Sequence, residues 1–268
     1  MREGLIAIFF IFLALSICHA EAIEFVIEDS PYYVQKDLLV KKGDIFTAEP
    51  GVVIEMAKDA SVIIEGRIAI AGYPRGGEVI FKAVGPFQNY HKGFWRGIII
   101  KSKEKNVIQY AVIQHGKIGI ELAKGSCVNL TNNIITQNKT GIRAEGAGKL
   151  TIWQNSFLGN FTDIEIEYSA GVVEKNYFEG SLTALILKEG YPRIRGNLFK
   201  QAHKNLVECY NKRDLLAGEN FWTSAEEEEI KKRILQGGKG KFIFKPFLKE
   251  PVDLSRTEAG LNGCVSCQ

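Results

Sequence analysis

Large apolar residues return at intervals of 21 to 23 residues through the middle of this chain. The copies align on an Asn, with Ala111 in place of Asn in the first of them: Asn133, Asn155, Asn176, Asn197 and Asn220. Two positions later every copy has a large apolar residue: Ile113, Ile135, Phe157, Phe178, Phe199 and Trp222. Within each copy, short segments alternate apolar with polar residues and are broken by Gly or Asn, as β-strands are. The pattern predicts a solenoid in which each repeat makes one coil.

A coil this short cannot bury its own apolar face, so the copies must stack on one another. Strands of successive coils then pair in parallel about 4.8 Å apart, and each aligned column becomes a ladder of like side chains. Asn tolerates the left-handed backbone of a sharp corner, and its amide can bond to the Asn above and below. We therefore predict an asparagine ladder along one corner of the solenoid.

Several motifs resemble those of right-handed parallel β-helix proteins of the pectin-lyase-like superfamily. They are the Asn-x-Phe column, Glu49-Pro50-Gly51-Val52-Val53-Ile54, Phe94-Trp95-Arg96-Gly97-Ile98 and Asn220-Phe221-Trp222. The resemblance covers roughly residues 33 to 250 and implies an all-β, single-stranded right-handed parallel β-helix of about eight to nine coils. The chain looks like the non-catalytic secreted or surface branch, although the fold also hosts lyases, hydrolases, adhesins and scaffolds.

The first 20 residues have the order of a secretory signal. Arg2 precedes an apolar run over residues 5–17, which is too short to span a bilayer, and small residues follow at Ala20 and Ala22. Cleavage after Ala20 is predicted, with a second site at Ala22 and a lipid anchor at Cys18 as alternatives. Since no other long apolar stretch follows, we expect a periplasmic or extracellular protein without a membrane span after cleavage.

The rest of the chain is predicted to form one domain over residues 21–250 and a tail over residues 251–268. Residues 23–35 are expected to cover the N-terminal end of the solenoid. A cap helix over residues 224–236 is expected at the other end, because Ser224-Ala225-Glu226-Glu227 has the form of a capping box and acidic residues precede basic ones.

Charge and composition exclude some partners and cofactors. Lys and Arg number 34 against 31 Asp and Glu, a net charge of +3, too small to indicate nucleic acid. The histidines lack metal-site spacing, so no cofactor is predicted. A weak calcium site that uses Asp163, Glu165, Glu167 and Glu145 remains an alternative.

One column on the outer surface could carry catalysis. Glu121 and Glu165 lie two coils apart, about 10 Å at the backbone, near the carboxyl separation of an inverting glycosidase, roughly 6.5–9.5 Å. Arg143 lies between them and would favour the charged form of both, which is unsuited to a general acid. We read the trio as an ion-pair ladder and keep the catalytic pair as an alternative.

A second outward column is the predicted ligand site. Trp153 stands among polar residues, with Thr131, Glu174 and Arg195 in the same column. An exposed indole beside hydrogen-bonding groups can stack on a sugar, although a covering loop would also explain it. The segment 73–96, rich in aromatic and basic residues, is a second candidate, but Trp95 within it is expected to be buried under the next coil.

Four cysteines remain after processing. Cys127 and Cys209 are too far apart to pair, whereas Cys264 and Cys267 are expected to form a small disulfide ring in an oxidising compartment, or to cross-link to another molecule.

The function predicted from the sequence is therefore non-enzymatic: a scaffold or adhesin-like module that binds a polysaccharide or a cell-envelope protein. A polysaccharide lyase or glycoside hydrolase is the alternative.

Overall fold

Repetition of short strands gives a solenoid of about nine turns with almost no helix. The computed structural model describes residues 21–85, 92–251 and 253–254. The predicted signal segment, residues 1–20, and the tail from residue 255 onward lie outside the described residues.

Strands of successive coils pair in parallel and form three faces, here named A, B and C in chain order. Face A contains Ala22–Phe25, Ile45–Ala48, Arg67–Ala71, Lys105–Gln109, Cys127–Thr131, Lys149–Trp153, Ala170–Glu174 and Tyr191–Arg195. Face B contains Tyr32–Val34, Val53–Met56, Val79–Ala83, Ala111–Gln114, Ile134–Thr136, Ser156–Leu158 and Phe221–Trp222. Face C contains Leu38–Val40, Ser61–Ile64, Gly97–Ile100, Ile118–Leu122, Thr140–Glu145, Thr162–Glu167 and Ile234–Gln236.

Two strands of 12 residues, Tyr177–Lys188 and Leu198–Cys209, run through the corner between faces B and C and join them into one sheet. A two-stranded sheet of Leu215–Leu216 and Phe242–Ile243 follows near the C-terminal end.

The interior is filled by the predicted apolar columns. Phe157, Phe178, Phe199 and Trp222 are fully buried and stack in sequence, with ring centroids 4.9, 4.5 and 4.3 Å apart. Stacking like side chains across parallel strands keeps the coils in one register, because a slip by one residue would turn the apolar positions outward. The predicted columns are confirmed.

The asparagine ladder is present along the corner between faces A and B. The backbone N–H of each of the first four Asn residues donates to Oδ1 of the Asn in the next coil at 2.9 Å. Each of those Nδ2 groups donates to the same Oδ1 at 2.9 to 3.1 Å and to a carbonyl of face A at 2.8 or 2.9 Å. The buried amides are thus satisfied by one another and by the strand ends of face A.

The left-handed residue at this corner is the one before the Asn, which corrects the prediction. Tyr110, Asn132, Gln154, Lys175 and Glu219 have φ between 50 and 58°. None of the ladder asparagines has a positive φ. The ladder Asn is the first residue beyond the sharp corner, and the chain continues directly from it into a face B strand, so the preceding residue makes the bend.

The N-terminal end is a further coil, not a separate cover. Residues 23–35 contribute the strands Ala22–Phe25 and Tyr32–Val34 to faces A and B, with a 3-10 helix at Ile27–Asp29 between them. The rings of Phe25 and Tyr32 stack 4.1 Å apart above the core residue Phe46. These rings close the interior at this end.

The C-terminal cap helix is shorter than the predicted 224–236. It covers only Glu227–Lys231, and no side chain caps its first turn. Ile234–Gln236 instead pairs with Leu198–Cys209 on face C, because that strand would otherwise leave its backbone groups unpaired at the edge. Ile230 is buried against the last coil as expected.

Candidate functional site

The predicted ligand column lies on face A and is in register. Thr131 pairs with Trp153, Trp153 with Glu174, and Glu174 with Arg195, each from neighbouring strands. Each residue ends its strand two positions before the Asn position, and Asn155 Nδ2 donates to the Trp153 carbonyl at 3.2 Å. The asparagine ladder therefore fixes the backbone from which these side chains project.

Charged neighbours do not converge on Trp153 as the prediction implied. Glu174 pairs with Arg193 Nε at 2.5 Å, and Arg195 pairs with Glu219 of the next coil, with Nε–Oε2 at 2.8 Å. Strand register places Glu174 and Arg195 side by side, but each side chain forms its ion pair with another residue within its reach.

The indole itself is half-buried, with a cation over its face. Lys175 Nζ lies 5.7 Å from the centroid of the Trp153 ring. Lys175 is exposed, and a cation–π contact at an exposed site is worth only about 0.5–1 kcal/mol. A ligand can displace this lysine at little cost, so Trp153 can serve as a stacking platform.

The column Glu121, Arg143 and Glu165 lies on face C in the predicted register. Arg143 Nε pairs with Glu165 at 3.1 Å, and Lys188 Nζ pairs with the other Glu165 oxygen at 2.6 Å. In the described part of the chain no ion pair joins Arg143 to Glu121, so only half of the expected ladder forms.

Electrostatics argue against Glu165 as a general acid. Burial alone would raise its pKa, but the hydrogen bond from Lys188 and the charges of Arg143 and Lys188 outweigh burial and hold the pKa below its ordinary value. An acid catalyst must keep its proton near neutral pH. Glu121 lines a separate open cleft of about 430 Å³ with Lys124, Glu145 and Tyr168.

Asp163 behaves differently from the other acidic residues of its strand. It is fully buried and accepts a hydrogen bond from Asn160 Nδ2 at 2.9 Å. Burial raises its pKa to about 7, although the Asn160 hydrogen bond, the nearby Ser181 hydroxyl and the charge of Lys92 each lower it. Its Oδ2 has no partner with hydrogen-bonding geometry among the described residues.

This carboxyl group ends a second, shorter ladder at the corner between faces B and C. Asn138 donates from its backbone N–H to Asn160 Oδ1 at 2.8 Å, and the next coil has Ser181 at the Asn position. Asp163 supplies the acceptor that a third Asn would have given.

Metal ligation finds no support in this part of the molecule. Within the described ranges, no three His, Cys, Asp or Glu side chains are grouped so that they could hold an ion. Of the four residues in the calcium alternative, Asp163 accepts a hydrogen bond from Asn160 through Oδ1, and both oxygens of Glu165 pair with cations.

The excursion over residues 73–96 gives one clear result. Trp95 is fully buried, and its Nε1 donates to the Gln114 carbonyl at 2.8 Å, as expected. Residues 86–91, with the aromatic and histidine side chains that made this segment a candidate, lie outside the described residues.

Both described cysteines, Cys127 and Cys209, are free, which confirms that they do not pair. The predicted Cys264–Cys267 disulfide lies outside the described residues.

The structure has a basic cavity on face A that was not predicted from the sequence. It has a volume of about 360 Å³ and is lined by Lys103, Lys105, Asn106, Cys127, Val128, Asn129, Lys149 and Thr151. A signal was available, because Lys105 and Lys149 fall in the same column two coils apart with Cys127 between them, but the column is not lysine in every coil and so does not stand out as a repeat.

Comparison with known proteins agrees with this architecture. A family model described as the right handed beta helix region matches residues 89–221. The match and the parallel solenoid together show that the chain is a right-handed β-helix protein, and the pectin-lyase-like superfamily is consistent with both. No curated protein and no solved structure matched the chain. In the part of the chain that the structure describes, none of the helices has the length and hydropathy needed to cross a bilayer.

Proposed function

We propose that the protein is a non-enzymatic, exported β-helix scaffold or adhesin-like module whose outer faces bind a polysaccharide or a cell-envelope protein. The observation that supports it best is the Trp153 column. The half-buried indole lies on a parallel sheet with the exposed Lys175 over its face, and it gives a sugar ring an apolar surface, while Thr131 in the preceding coil offers a hydroxyl. Stacking on a preorganised aromatic ring avoids the entropy cost of ordering the site.

Binding to a glycan array and to isolated envelope polymers tests the proposal. We expect the full chain to retain at least one polysaccharide, and Trp153→Ala to lower the affinity by about tenfold. Tyr33→Ala is the matched control, because Tyr33 is 52% exposed and lies on face B of the first coil. Empty results on both the array and the polymers would overturn the proposal.

The enzymatic alternative rests on Glu121 and Glu165. The two ion pairs of Glu165 weigh against it, since they favour the ionised form. Reducing-end release from acidic and neutral polysaccharides, lost in Glu165→Gln, would favour the enzyme, whereas a panel without release would remove it.

A further inference from the structure

The distribution of charge along the solenoid is uneven. Residues 101–149 contain eight basic and three acidic residues, a surplus of five, whereas the whole chain has a surplus of only three. The remainder is therefore net acidic by two. This surplus is concentrated in the coils that build the basic cavity of face A.

The lysines of the cavity are uncompensated. Lys103, Lys105 and Lys149 all line it, and within the described ranges none of them has an ion pair. Glu104 lies between two of them in the sequence, yet it pairs with neither. By contrast, Arg143, Lys188 and most of the cations that follow Lys149 on the three faces are paired with glutamates.

The cavity is part of the same outer surface as the Trp153 column. Thr151 lies two residues before Trp153 on one strand, and Asn129 lies two residues before Thr131 on the strand paired with it. Lys105, Cys127 and Lys149 form the next column across, so the two lysines are two coils apart, about 10 Å. Across face A, the column of lysine amines is therefore followed by the column with the Thr151 hydroxyl and the Asn129 amide, and then by the column with the Trp153 indole.

We propose that this cavity binds the anionic groups of an acidic polysaccharide, namely carboxylate, sulfate or phosphate, while Trp153 stacks on the sugar. The inference rests on the proposed function and specifies its ligand. Unpaired ammonium groups gain a counter-charge on binding, and the Thr151 hydroxyl can bond the hydroxyls that flank the charge. A neutral glycan would leave the lysines without partners.

Matched polymers test this directly. The full chain is titrated with a polyuronate and its carboxyl-reduced form, and with dextran sulfate and plain dextran. We expect at least one charged polymer to bind roughly tenfold more tightly than its neutral form, and the pair that responds distinguishes carboxylate from sulfate recognition. Lys105→Gln with Lys149→Gln should abolish that preference, whereas Lys117→Gln with Lys139→Gln, the same charge change on exposed lysines outside the cavity, should leave it within about twofold.

The free thiol of Cys127 gives an independent readout. It lies in the cavity wall between the two lysines and is half-buried, while Cys209 is 1% exposed. The bound charged polymer should slow alkylation of Cys127, mapped by mass spectrometry, and should not change that of Cys209.

The outcomes separate the inference from the proposed function. Equal binding of charged and neutral polymers, or equal losses in both double variants, would overturn the anionic site and leave polysaccharide binding intact. The anionic glycan site would also be overturned if single-stranded DNA bound as tightly as the charged glycans. The same conclusion would follow if alkylation of Cys127 were unchanged at saturation. Binding of none of the polymers, together with empty arrays, would overturn both.

Discussion

Faces A and C belong to the same coils but are stabilised differently. The strand ends of face A are fixed by a buried asparagine ladder, which leaves lysines and an indole on its outer surface without strong partners. On face C the outer side chains form ion pairs with one another, as Glu165 does with Arg143 and Lys188. Its strand Thr162–Glu167 also contains a buried acidic residue. Groups already paired within the protein are poor ligand sites, and the unpaired lysines and the indole are therefore the reason for placing the proposed binding surface on face A.

The largest effect is expected from breaking the ladder beside face A. Asn176→Ala removes the acceptor for Asn155 and the donor to the Ile152 carbonyl, and should lower the free energy of unfolding by about 3 kcal/mol. Asn129→Ala, on the outer surface of the same face, is the control and should cost less than about 1 kcal/mol. Urea denaturation measures both, and equal losses would contradict the role of the ladder.

Asp163 should give face C a dependence on pH. Its pKa is about 7 in the folded protein against an ordinary value of 3.8, so the folded state binds more protons between those values. Stability is therefore greatest at the acidic end of that window, falls as pH rises through it, and levels off above about 7. Asp163→Asn keeps an acceptor for Asn160 and should flatten the slope in urea denaturation from pH 5 to 8. Glu167→Gln on the same strand is the control, and a slope that survives in Asp163→Asn would rule out this residue as the source.

A smaller effect is expected from the ion pairs of face C. Glu165→Gln should cost about 1 kcal/mol at pH 7, whereas Lys149→Gln on face A should change the free energy of unfolding by less than about 0.5 kcal/mol. Because the pKa of Glu165 is lowered, its contribution is present above its ordinary pKa and is lost as pH falls through the lowered value. Equal costs for the two variants at pH 7 would remove the contrast between the faces.

The smallest effect on stability is expected at the proposed ligand surface. Trp153→Phe keeps an aromatic ring on the half-buried site and should change the unfolding free energy by less than about 1 kcal/mol. A thermal unfolding curve close to that of the parent protein would show that any change in glycan binding in this variant is a local effect. A large drop in the midpoint would instead indicate that the indole is structural.

Periodicity was enough to predict the solenoid, since Asn155 and Phe157 each repeat at the coil length and so must stack. It also placed Trp153 beside Thr131 and Glu174. It could not choose the ion pairs, because Glu174 finds Arg193 on the same strand as the expected neighbour Arg195, and side-chain reach rather than register decides. The cap helix was overestimated for a related reason: the edge of face C competes for residues 234–236, and local helix signals do not include that competition.

Fluorescence quenching by acrylamide tests the central claim, that the outer surface of face A binds the ligand, most directly. Of the three tryptophans, Trp95 and Trp222 are 0% exposed, so quenchable emission reports Trp153. Titration with the tightest-binding polymer of the matched set should protect that emission, and Trp153→Phe should have almost no quenchable emission in the presence or absence of polymer. Calorimetry verifies that the protein is saturated with polymer. If the quenching of Trp153 is unchanged at saturation, the ligand binds elsewhere and the account is contradicted.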